Sequence, residues 1–221
     1  MMEWLGNIDP LEIARASGET LGMVAASLVA SIALGLPLGV WLSVTSPSGL
    51  SPHRGVYAAL SFGVNVLRSI PFVILFILLI PVTLTLVGTS LGVRGAIPPL
   101  VVGAAPFFAR LVENALREVD RSVIEASRAL GASKRQIVLQ ALLPEALPSL
   151  IVAATVTAIA LVSYTAMAGV VGAGGLGDLA VRYGYQRFQT DVMVVTVVLI
   201  IALVQGLQGL GDGLVARFAR K

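Results

Sequence analysis

The run TLGMVAASLVASIALGLPLGVWL fills positions 20–42 and holds no charged residue. A helix of about twenty such residues, rising ~1.5 Å each, covers the ~30 Å of bilayer hydrocarbon. Left in water, the same run would form a large apolar patch and aggregate. Four further stretches repeat the pattern: Tyr57–Val82, Ala96–Ala115, Leu147–Val170 and Val192–Leu210. The third ends in Arg110, Glu113 and Asn114, and the second carries Asn65 and Arg68 in its first turns. The chain is 57% hydrophobic and 12% charged, against about 25% charged for a soluble domain. The reading is an all-α, polytopic bundle of five transmembrane helices, one membrane domain over residues 1–221 with no appended soluble domain.

The formal charge of +3 does not point to nucleic acid, because Lys and Arg flank the apolar runs instead of forming one basic stripe. They read as orientation signals. Arg54, Arg117, Arg121, Arg128, Lys134, Arg135, Arg217, Arg220 and Lys221 fall in alternate connections and the tail; Arg15, Arg94, Arg182 and Arg187 fall in the others. The positive-inside rule then places the N-terminus outside and the C-terminus inside. Glu3, Asp9, Glu12 and Glu19 make the N-terminus unlike the basic start of a cleaved signal peptide, so the first span is expected to stay. With no Cys and one His, His53, no thiolate or His-cluster metal site is expected.

Residues 116–146 form a polar connection much longer than the ~2–8 residues that usually join helices. Within it, EASRALGASKRQIVLQALLP (125–144) predicts a helix, a tight turn and a second helix. Gly131 is placed as a left-handed C-terminal cap. Ser133 and Gln136 form a capping-box pattern, and Pro144 marks entry to the next span. A solvated hairpin is one reading. The other is a docking surface: Ala126, Ser127, Ala129, Gly131 and Ala132 let a partner's backbone approach, Leu130 is an apolar knob, and Arg128, Lys134 and Arg135 form a rim.

Glu125-Ala126-Ser127, Gly131 six residues after the Glu, and Leu143-Pro144 resemble the EAA loop of bacterial ABC-importer permeases. Ser127 and Ala141 depart from that pattern. LRSIPF (67–72), GAAPFFARLVENALREV (103–119), LLPEALPSL (142–150) and YTAMAGVVGAGGLGDLAVRYGYQ (164–186) extend the likeness to permease subunits of methionine ABC importers, over about residues 20–215. The resemblance implies type I ABC-importer permease architecture in the bacterial inner membrane, and a non-catalytic subunit that moves L- and D-methionine by alternating access. It implies as partners a second copy of the chain, two cytoplasmic ATPase subunits and an extracytoplasmic binding lipoprotein. Residues 125–132 would then be the coupling helix, and an importer of another small amino acid or related solute is the alternative.

The residues add one independent point. A P-loop needs a Lys after Gly to reach the phosphates, and the two lysines, Lys134 and Lys221, follow Ser133 and Arg220. No Walker lysine exists here, so ATP and its Mg²⁺ are expected on a separate subunit and no cofactor on this chain. Gly172-Ala-Gly174-Gly175-Leu-Gly177 matches a dinucleotide fingerprint, but an apolar span precedes it where a strand is required. It reads as an extracytoplasmic turn, which by the resemblance faces the binding protein. Two G-L-G-D segments would place Asp178 and Asp212 on opposite faces, too far apart for a protease dyad.

Ser163, Tyr164 and Met167 interrupt the fourth apolar run. They read either as packing residues or as a pathway segment in which Met167 gates and Tyr164 offers an aromatic face to a thioether. Glu113 is spaced to pair with Arg117 at i, i+4. Arg68 has no local acid; it either snorkels to the interface or serves the pathway. No acidic residue lies at the centre of any run, which argues against an ion-driven carrier, and no nucleophile–base pair suggests an enzyme.

Overall fold

The computed structural model describes residues 9–218; Glu3, Arg220 and Lys221, used above for topology, lie outside the described residues. Helix α1 (Pro10–Thr45) begins at Asp9, whose carboxylate accepts the Leu11 amide at 2.9 Å, with Pro10 presetting the first turn. Its 36 residues reach about 54 Å, well beyond the hydrocarbon layer. Ser27, Ser31, Gly35 and Gly39 recur every fourth residue and are all buried. This small-residue ladder packs on α5 (Gly92–Arg117). A Cβ built on Gly35 would lie 2.7 Å from the Ala105 carbonyl oxygen, and one on Gly39 would lie 2.5 Å from that of Ala109. Membrane helices lack a hydrophobic force between them, so such backbone contact supplies much of their association.

The expected second span is not one helix. α2 (Arg54–Ser69) and α3 (Phe72–Leu78) are bent by 101°. The cause is Pro71: the residue before a proline is driven out of the α region, and Ile70 is extended at φ −80°, ψ 124°. α4 (Ile80–Val87) follows and stops at Gly88, which takes φ 77°.

α9 (Leu147–Val170) coincides with the fourth predicted span, and α11 (Thr190–Phe218) enlarges the fifth. Between them lie α10 (Gly175–Leu179) and a π-helical turn, Ala180–Tyr185. Among the described residues, α1, α5, α9 and α11 are long and apolar enough to cross a bilayer, and the count reaches five when the bent α2–α3 pair is taken as one broken span.

Two larger apolar cores, with a smaller one of Ala16, Leu176 and Leu179, hold the bundle. Met23, Phe72, Phe76, Leu100 and Leu161 fill one. Phe108, Val112 and Leu116 of α5 meet Ile137 and Leu142 in the other. The second core fastens the polar connection to the membrane helices.

Candidate functional site

The polar connection is a built elbow with capped ends. Asp120 caps α6 (Arg121–Ala129) by accepting the Ser122 amide at 2.8 Å. That backbone bond, followed by a bond from the Ser122 hydroxyl, holds the Asp120 carboxyl below its usual value. α6 ends in a Schellman motif: the Gly131 amide donates to Arg128, the Ala132 amide donates to Ser127, and Gly131 sits at φ 78°. Ser133 then forms a reciprocal capping box with Gln136, whose side chain accepts the Ser133 amide at 2.8 Å. The chain continues through α7 (Lys134–Gln136), a π-helical turn at Ile137–Leu142, and α8 (Leu143–Glu145).

α6 buries no side chain. Glu125, Ala126, Arg128, Ala129, Gly131 and Pro144 are exposed, and Ser127 and Ala132 are half-buried. Leu130, an apolar residue at the tip of the elbow, is 88% exposed. By contrast Ile137 and Leu142 are buried against α5. One limb is thus anchored in the bundle while the other presents a small-sided helix and a single large apolar knob. Lys134 Nζ donates to Ser51 Oγ at 3.0 Å and ties the elbow to the turn after α1.

The pathway candidates divide into two groups. Ser163 and Met167 lie on the exposed face of α9, with Val152, Val156 and Val170 on the same stripe. Arg68 and Tyr164 are brought together instead, on the wall of a cavity of about 260 Å³ beside the α2–α3 bend. The Tyr164 ring stacks on Phe72 at 4.5 Å.

Two expectations are corrected. The glycine turn does not present all its glycines outward. Gly172 is exposed and Gly174 half-buried, but Gly175 and Gly177 are buried. The reason is close packing: a Cβ on Gly177 would lie 2.4 Å from Ala166 Cα, and one on Gly175 would lie 2.7 Å from Thr20 Oγ1. Glu19 and Thr20 of α1 accept the amides of Gly175 and Leu176, both at 2.9 Å, and so cap α10. The ion pair expected between Glu113 and Arg117 does not form either. Glu113 pairs with Arg110, one turn earlier, and accepts the Tyr57 hydroxyl at 3.0 Å. Arg110 also donates to Ser61 and Asn65, both at 2.9 Å, and so clamps α2 to α5.

Asn65 was noted in sequence, but Tyr57 and Ser61, which share its face, were not singled out, although a signal was present. They recur every fourth residue on one face of a strongly amphipathic helix that ends in Arg68. Such a polar face inside an apolar run must meet protein or water. Glu19 and Thr20 gave no local signal, because their partners lie far along the chain. Among the described residues, no group of three or more His, Cys, Asp or Glu side chains is arranged to hold a metal ion.

Comparison with known proteins gives one consistent result. The model of the family described as "Binding-protein-dependent transport system inner membrane component" matches residues 35–220. A probable D-methionine transport system permease protein of Vibrio cholerae is 50% identical over 91% of this chain and 90% of its own length. A methionine import system permease protein of Bacillus subtilis is 47% identical over 95% of each. An inward-facing crystal form of the MetNI methionine ABC transporter contains a chain that superposes with a TM-score of 0.94, at 49% identity, over 96% of this chain and 98% of that one.

Proposed function

The chain belongs to the family of binding-protein-dependent transport system inner membrane components, and from that premise we propose that it is the methionine-translocating permease of an ATP-driven importer. It is a multi-pass inner-membrane protein and a non-catalytic subunit. Its relatives named for methionine span nearly its whole length, which favours methionine over another small amino acid. The assembly we infer has two copies of this chain, two ATPase subunits that bind ATP and Mg²⁺, and an extracytoplasmic binding protein. The N-terminus faces outward and the elbow inward, as the placement of Lys and Arg requires.

The observation that carries the coupling role is the exposed Leu130 at the end of α6, a helix with capped ends that rests Ile124 on the second core and leaves its Glu125, Ala126, Arg128 and Ala129 face open. An exposed apolar residue beside such an open helix face fits a groove in a second protein. Residues 125–132 sit in the ATPase groove; closure of the ATPases moves the elbow as a rigid body, and Ile137 and Leu142 pass that motion to α5. The Ser163–Met167 face of α9 lines the path, with Met167 as gate, and Gly172 and Gly174 lie on the side that meets the binding protein.

The test is ATP-dependent uptake of radiolabelled methionine by vesicles holding the chain, its ATPase and its binding protein, together with co-purification of the ATPase. Gly131→Arg meets no neighbour within 4 Å but strains the left-handed cap at φ 78°; thermal unfolding in detergent reports that the bundle still folds, and co-purification of the ATPase is abolished. Gly131→Asn, which tolerates the left-handed conformation, retains more of the ATPase than Gly131→Arg. Wild-type vesicles without uptake exclude the methionine reading, and full assembly of Gly131→Arg excludes the docking site.

A further inference from the structure

We propose that the cavity at the α2–α3 bend is a transit site for the carboxylate of an apolar amino acid, with Arg68 as its anion contact. The proposal rests on the methionine-importer reading and names a site within it. Its two chemical parts come from distant parts of the chain: Arg68 lies in the last turn of α2, and Tyr164 lies in α9. They share a cavity of about 260 Å³ with Phe72, Gly103 and Phe107. This is slightly smaller than the ~300–1,000 Å³ of drug-sized sites and suits one amino acid.

Arg68 differs from the neighbouring Arg110. Arg110 is occupied by Glu113, Ser61 and Asn65. Arg68 forms no ion pair or hydrogen bond among the described residues; its guanidinium lies 5.9 Å from the centre of the Phe107 ring. A guanidinium over an aromatic face keeps its edge donors for a planar, two-oxygen anion. Arg68 is exposed in the isolated chain, so those donors are open to a ligand at the cavity, and an unpaired cation within an apolar run marks a substrate or ion pathway.

The remaining walls suit an unbranched apolar side chain. Phe72 and Tyr164 stack nearly parallel, at 4°, and offer a broad aromatic surface on which a thioether gains weak additional attraction. Gly103 keeps that surface open, since a Cβ there would stand 3.3 Å from the Phe72 ring. No carboxylate lines the cavity, so a free amino acid is held by its anionic end alone. One charge-assisted contact and an aromatic wall make a weak site, which suits a path that must release what it accepts.

The test is equilibrium binding of radiolabelled methionine, up to about 10 mM, to the permease–ATPase complex in lipid nanodiscs without binding protein. Methioninamide, which lacks the carboxylate charge, is the competitor. The wild type should bind methionine and prefer it to methioninamide at least tenfold. Arg68→Gln should lose at least tenfold in methionine affinity, and Arg68→Lys should recover part of it. Co-purification of the ATPase with each variant reports that the chain has folded and assembled. No wild-type binding, equal competition by methioninamide, or Arg68→Gln binding like wild type overturns the site. Uptake by wild-type vesicles is measured in parallel: its presence with binding independent of Arg68 sinks the site alone, and its absence sinks the importer reading.

Discussion

Replacing Glu113 by Gln is expected to destabilise the chain by about 3 kcal/mol. The carboxylate is wholly buried, while the side chain of its partner Arg110 is 17% exposed. Breaking a fully buried ion pair costs about 3–5 kcal/mol, whereas an exposed one is worth about 0–1. One buried and one partly wetted partner puts the loss at the lower end of the buried range. Glutamine keeps the volume of the side chain, so no cavity forms and the change is one of charge. Arg110 retains Ser61 and Asn65 as acceptors, but neither offsets its charge. For a chain of this size, ~1 kcal/mol moves the unfolding midpoint by about 2–4 °C. Thermal unfolding in detergent, followed by near-ultraviolet circular dichroism, should therefore show a fall of about 6–12 °C. Replacing both partners, Glu113→Leu with Arg110→Leu, should return most of that loss, because an apolar pair removes the uncompensated charge. A midpoint within about 2 °C of wild type for Glu113→Gln, or a double variant less stable than the single one, would refute the assignment of this pair as a buried clamp.

Two other outcomes follow from named contacts. Gly39→Ala puts a Cβ 2.5 Å from the Ala109 carbonyl oxygen and should cost about 1–3 kcal/mol by overpacking, whereas Gly22→Ala, on the same helix with nothing within 4 Å, should be neutral or stabilising by up to ~1 kcal/mol; the same unfolding measurement compares them. The cap at Asp120 should titrate: a carboxyl held below its ordinary value of 3.8 stabilises α6 above that value and loses the effect as pH falls through its lowered pKa. Protection of the Ser122 amide from hydrogen exchange, corrected for intrinsic rates, should fall on acidification through that range in wild type and stay flat in Asp120→Asn, which caps without titrating.

Local chemistry could be read from the chain because its causes are local. Gly131 and Ser133 announced their caps, and the apolar runs announced the crossings, since each depends on residues a few positions apart. The bend after Ser69 was legible too, because Pro71 stands in the run and a proline drives the residue before it, here Ile70, out of the α region. Contacts between distant helices left no such mark. Glu19 reaches Gly175 across 156 positions, and no periodicity of either segment signals the other. Burial of Gly175 and Gly177 follows from the same contacts, so the glycine turn looked more open in sequence than it is in the fold.

The two arginines of the α2–α5 region show where such reading stops and geometry takes over. In sequence, Arg110 had an acid within one turn and Arg68 had none, yet that contrast predicted only which could pair locally. Glu113 had acceptable partners on both sides, and the i, i+4 rule favoured Arg117. The fold reverses this choice because α2 lies against one side of α5: Tyr57, Ser61 and Asn65 supply the remaining hydrogen bonds only on the side where Arg110 sits. A pair buried there gains a satisfied network, whereas a bond to Arg117 would leave Arg110 charged and unpaired inside the bundle. The same face of α2 runs on past Asn65 and ends at Arg68, beyond the reach of Glu113. The α2 face therefore satisfies one cation, Arg110 of α5, and carries an unsatisfied one, Arg68, which borders a cavity. That difference rests on which side chains α2 turns toward α5, a property of helix packing and not of spacing along the chain.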